Sequence, residues 1–82
     1  MPPTWREYRK VIKRNGFRLE RSAKHETWIQ YDDRGRVRRQ TRASHGNAEI
    51  RDPRFFKALL KQCGKTEERF YSVLRKGRGS RS

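Results

Sequence analysis

The chain has 82 residues, of which 23 are Lys or Arg and nine are Asp or Glu, giving a formal net charge of +14 and a pI near 11.3. This length allows one domain with a small core, because so short a chain buries only about 60% of its unfolded surface. Hydrophobic residues make up 30% and charged residues 39%, close to a disordered composition, but two Trp, three Tyr and four Phe between Trp5 and Tyr71 argue for a folded unit.

Thr4 begins the first element. Thr4 and Glu7 fit the capping-box pattern, and Pro2 and Pro3 keep the preceding chain extended. Trp5, Tyr8, Val11 and Ile12 then form one helical stripe, with Arg6, Arg9, Lys10 and Lys13 facing outward. Asn15-Gly16 ends this helix. "FRLER" alternates, with Phe17 and Leu19 on the apolar side, and reads as a half-buried strand. After a break at Ser22–Lys24, "ETWIQY" has the β-branched and aromatic content of a second strand. "DDRGR" is a turn, with Gly35 available for positive φ. "RVRRQTR" is a third strand, poor in apolar residues and therefore an edge strand.

"SHGNAE" reads as a loop. Asp52 caps a second helix with Pro53 at its first position, where a missing N–H is harmless. Phe55, Phe56, Leu59, Leu60 and Cys63 form its apolar stripe, and Gly64 ends it. Cys63, the one cysteine, excludes an internal disulfide and reads as a buried small hydrophobe. Thr66 caps a short last helix, Glu67 to about Leu74, packing through Phe70, Val73 and Leu74. "RKGRGSRS" has the composition of a flexible basic tail. The expected organisation is a domain over residues 1–76 and a tail over 77–82. The expected fold is α+β: a small α-β-β-β-α sandwich of the double-stranded-RNA-binding type, its three-stranded antiparallel sheet packed on two helices, with a short extra C-terminal helix.

A folded domain this basic repels itself unless it meets polyanions, which makes RNA or DNA the expected partner. An anionic membrane is the rival, but no basic amphipathic helix with a wide Leu/Phe face is present, and no apolar run approaches a transmembrane span or a signal-peptide core. A cytosolic location is therefore expected. No recognition-helix pattern favours a DNA-binding accessory protein. One Cys and two His do not make a metal-ligand set, and no glycine-rich phosphate loop is present, so neither metal nor cofactor is expected.

"NGFRLERSAKHETW", followed by "RASHGNAEIRDPRFFKALLKQCG", resembles the HicA (YcfA-like) toxin family of bacterial toxin–antitoxin systems. The resemblance runs from about Trp5 to Leu74. It consists of a helix, Asn15-Gly16-Phe17, Arg21 followed shortly by His25, then His45-Gly46 with Glu49, and the Leu59–Gly64 stretch of the second helix. It rests on the order and spacing of these pieces, since none is specific alone. It implies a double-stranded-RNA-binding-like fold, mRNA interferase activity independent of the ribosome, and neutralisation by a HicB antitoxin. The family's catalytic histidine, usually found in Gly-Ser-His, maps onto His25. Here Ala23-Lys24 replaces Gly-Ser, and the turn after Arg21 is one residue shorter.

RNA cleavage needs a base for the 2′-OH proton and an acid for the leaving 5′-oxygen, and an ordinary histidine can serve as either near neutral pH. On the residues alone, His25 reads first as a surface turn histidine. The resemblance reverses that order. Arg21 and Lys24 are then the candidates to hold phosphate charge. His45 is either the partner acid or a turn residue, since a hairpin tipped near Arg34 puts both histidines at its open end. Arg36, Arg38 and Arg42 fall on one face of the third strand and Arg39 on the other; the run is either a phosphate track or a solvated edge. An acidic antitoxin is a second candidate for the same surface. Trp28 is a candidate to stack on a base, although such residues are more often core. The runner-up function is a non-catalytic RNA-binding module on the same fold.

Overall fold

The computed structural model describes residues 2–79. Its elements run α1 (Trp5–Arg14), β1 (Phe17–Ser22), β2 (Glu26–Tyr31), β3 (Val37–Ala43), α2 (Pro53–Cys63) and α3 (Glu67–Gly79). The strands form one antiparallel sheet in the order β1-β2-β3. α1 and α2 pack on the sheet, and α3 packs on both helices. This is the α+β architecture expected from the residue pattern, and β3 is an edge strand as expected.

The local signals act where the sequence places them. Thr4 Oγ1 accepts from Glu7 N at 3.1 Å while Thr4 N donates to Glu7 Oε1 at 3.0 Å, a complete capping box. Asp52 accepts from Arg54 N at 3.0 Å with Pro53 behind it, and Gly64 closes α2 at φ +72°. Thr66 accepts from Arg69 N at 3.2 Å and starts α3. That helix continues past Leu74 to Gly79, so residues 77–79 of the expected tail are helical, and residues 80–82 lie outside the described residues.

Two expected core residues are exposed. Phe55 is 46% exposed, because successive helix positions are turned about 100° apart and Phe56 takes the core-facing one. Leu19 pairs with Trp28 on the helix-side face, but it lies on the outer strand beside a bulge and beyond helix cover, 47% exposed.

Tyr8 is the hub of the core and fully buried. Its ring stacks on Phe70 with centroids 6.1 Å apart, and Phe70 meets Phe56 edge-on at 5.2 Å. Its hydroxyl donates to the Leu59 carbonyl at 3.1 Å and is hydrogen-bonded to the Thr41 hydroxyl at 2.7 Å, and Thr41 donates to Gln62 Oε1 at 2.8 Å. This relay ties α1, β3 and α2 together through polar atoms that would otherwise be buried unpaired.

Burial pushes the Tyr8 phenol far above its usual 10.0 and the Cys63 thiol above its usual 9.0. The unfolded chain gives up these protons at the ordinary values and the folded chain does not. Stability is therefore complete below about pH 9 and falls above it, by up to about 1.4 kcal/mol per pH unit for each group. Urea midpoints from pH 7 to 11 should be level and then drop, and a level curve to pH 11 would contradict the burial. At pH 7, Tyr8→Phe should cost about 1–3 kcal/mol, because Thr41 and the Leu59 carbonyl lose a buried partner.

Candidate nucleic-acid interface and the histidine loops

The pairing of Glu26 with Ala43 brings the β1–β2 turn and the β3–α2 loop to one end of the sheet. The main chain pins the second loop at two points: Trp5 N donates to the Ala48 carbonyl at 3.0 Å and Ile50 N to the Pro3 carbonyl at 2.7 Å. Arg9 adds three side-chain bonds, to the Ser44 carbonyl at 2.8 Å, the Gly46 carbonyl at 2.7 Å and Asn47 Oδ1 at 3.0 Å. The sequence pattern had turned Arg9 outward; instead its five-donor guanidinium reaches across to the loop.

Glu26 joins the two loops. Its side chain is 14% exposed, with Oε1 accepting from Trp28 Nε1 at 2.9 Å and lying 4.0 Å from Arg9. His45 closes the arrangement: Nε2–H donates to the Ala23 carbonyl at 2.8 Å, and Nδ1 lies 3.7 Å from Glu26 Oε2. The expected meeting of the two histidine loops therefore occurs, but His45 meets the backbone of the His25 loop with both ring nitrogens directed at protein atoms. That leaves His45 a loop-holding residue rather than a free acid.

Trp28 does not stack on bases: it is 6% exposed, packed on the helix side, and its N–H is committed to Glu26. Period-2 alternation in "ETW" carries the signal that was missed, since Glu26 and Trp28 must share the inward face.

His25 occupies the exposed turn, which is closed by Ala23 N donating to its carbonyl at 3.4 Å. Among the described residues no hydrogen bond engages its ring. The residue lines one end of a groove of about 460 Å³ between the β3 edge and α2, with Arg42 and Ser44 beside it and Phe55 and Gln62 farther along. Lys24 is exposed next to it.

Strand register sorts the arginines. Arg21, Thr27 and Arg42 form one cross-strand row on the open face, and Arg18, Ile29 and Gln40 form the next. Arg38 falls in the β3 bulge between Val37 and Arg39, so the alternation that would put it on the face of Arg42 is broken there, and Arg36 precedes the strand at the hairpin tip. Arg21 and Arg42 thus flank the His25 end of the sheet. Arg39 lies on the opposite face, its guanidinium over Gly64, where a Cβ would come within 2.6 Å of Cζ. There it neutralises the carbonyl end of α2. Among the described residues, no three of His, Cys, Asp and Glu gather as metal ligands, and no helix is long and apolar enough to cross a membrane.

No family model matches the chain, and neither a curated protein nor a solved structure matches it. The fold and site define a basic α+β domain with an arginine-lined open sheet and an exposed histidine turn at its end.

Arg9→Ala removes three bonds to one loop while leaving the α1 core stripe intact. Amide exchange of residues 44–48 should accelerate by tenfold or more, with α2 amides unchanged. Unaltered exchange in that loop would show that the Pro3 and Trp5 backbone bonds hold it without Arg9.

Proposed function

We propose that this chain is a cytoplasmic, metal-independent endoribonuclease, an mRNA interferase toxin of the HicA kind, neutralised by an acidic HicB-like antitoxin. The observation that carries the reading is the exposed His25 turn, flanked by Lys24 and by the Arg21–Arg42 row on a sheet face rich in arginine. A net charge of +14 suits both a polyanionic substrate and an acidic inhibitor.

The chemistry follows from those groups. His25 takes the proton of an RNA 2′-OH. The 2′-oxygen attacks the adjacent phosphorus, forming the O2′–P bond as the P–O5′ bond breaks. Arg21, Lys24 and Arg42 stabilise the charge that builds on the phosphoryl oxygens. Water protonates the departing 5′-oxygen, because the Nε2–H of His45 is held by the Ala23 carbonyl. His45 contributes by fixing the turn from which His25 acts.

One feature favours the second reading, an RNA-binding module without chemistry. Ala23-Lys24 stands where the resembling family carries Gly-Ser.

Expression of the wild type beside His25→Ala separates the two. The wild type should arrest growth and deplete mRNA. His25→Ala should lose at least a hundredfold in cleavage rate while keeping its circular dichroism and its affinity for RNA within about twofold, since general base catalysis contributes roughly 10²–10⁴. Equal cleavage by both proteins would remove His25 from the chemistry. Binding without cleavage by the wild type would establish the second reading.

A further inference from the structure

Beyond the cleavage centre, the groove that begins at His25 has features that the phosphate chemistry does not use. Phe55 is an aromatic side chain displaced from the core and 46% exposed on the groove wall. Trp5 braces it edge-on, with centroids 5.9 Å apart, and is itself buried. Such a ring has a fixed position and an open surface.

Gln62 lines the same groove, and its amide orientation is set from inside the protein. Oε1 accepts from Thr41, which belongs to the buried Tyr8 relay. The Nε2 donors are therefore left for a ligand, with no partner among the described residues. Arg42 stands at the rim and His25 at the end. The volume of about 460 Å³ falls within the roughly 300–1,000 Å³ of ligand sites. An aromatic platform, an oriented donor pair and a cationic rim are the parts that recognise an unpaired nucleobase next to a bound phosphate.

We infer that this groove is a nucleobase subsite for single-stranded RNA, in which Phe55 stacks on the base beside the scissile phosphate and Gln62 donates to its edge. The inference rests on the RNA reading above and extends it from cleavage to base selection. A donor-only contact at the 6-position of a purine or the 4-position of a pyrimidine favours the keto bases guanine and uracil, which carry an accepting oxygen there, over the amino bases adenine and cytosine, which carry a donating amino group there. The apolar wall and the arginine rim together favour a base with its phosphate over an acidic polypeptide, which would place no planar ring on Phe55.

The test uses the full chain carrying His25→Ala and labelled 2′-deoxy-blocked oligonucleotides, read by fluorescence anisotropy. One oligomer contains a single keto base at the subsite, one contains an amino base, and one is abasic there with the same phosphates. The keto oligomer should bind about tenfold more tightly than the abasic one. In this background Phe55→Ala should erase that margin and leave abasic affinity unchanged. Gln62→Glu, which keeps the Thr41 bond but replaces the donors with an acceptor, should reverse the keto-over-amino ratio. Equal affinity for all three oligomers, or loss of abasic binding with Phe55→Ala, overturns the base subsite and leaves the RNA reading standing. No binding of any oligomer overturns both. A polyglutamate peptide that binds more tightly than the keto oligomer, and depends on Phe55, would overturn the base subsite in favour of a protein partner.

Discussion

A carboxylate that folds to low exposure must find partners, since an unpaired buried charge costs far more than this small core can offset. Glu26 meets that requirement from three directions, through the indole N–H of Trp28, the guanidinium of Arg9 and the imidazole of His45. Each partner comes from a different element. Satisfying one acid therefore fixes the sheet end, the first helix and the long loop relative to one another. The turn that carries His25 ends at the residue before Glu26 and is held at its start by the bond from His45 to the Ala23 carbonyl. The candidate site is thus positioned by a polar cluster rather than by hydrophobic packing alone.

The charge of the molecule imposes a second constraint. A chain with 23 cationic side chains cannot bury them, and the sheet gives the arginines a face that no helix among the described residues covers. Alternation and the β1 bulge do the sorting: Phe17, Trp28, Thr41 and Ala43 face the helices, Arg18 and Arg42 face away by parity, and the register shift after Leu19 turns Arg21 to the same open face. Arg39 is the exception that shows the rule's limit. It has the inward parity but lies near the strand's outer end, where it reaches the carbonyl end of α2 at Gly64. Charge of one sign on one face suits an extended anion and disfavours association between copies of the chain.

Much of this fold was legible in the residues because its signals are local. The Tyr8 stripe, the Thr4–Glu7 box, the Asp52-Pro53 start and the Gly64 stop are each decided within about four positions, and β2 begins and ends where its composition changes. The misplaced residues depend on distant partners. Leu19 has the inward parity, but how far a neighbouring element extends decides whether it is covered, whereas Phe55 lies one helix step off the line that Phe56 takes into the core. Arg9 reads as a solvent-facing cation until the loop 35 to 38 residues later folds onto it. His45 could be placed near the His25 loop from hairpin geometry, yet its role depended on which atoms met its ring nitrogens. The relay from Tyr8 to Gln62 is built of single bonds that span up to 51 positions, and no periodicity encodes it.

The central claim is that His25 activates the RNA's own 2′-hydroxyl at a phosphate held by arginine and lysine. The chemistry of the product ends tests it most directly. Purified protein should cut RNA in the presence of EDTA, and mass spectrometry of the fragments should find 2′,3′-cyclic phosphate and 5′-hydroxyl termini, because attack by the 2′-oxygen can leave no others at the first step. Fragments ending in 3′-hydroxyl and 5′-phosphate, or cleavage that appears only when magnesium is added, would contradict it and point to attack by a metal-bound water.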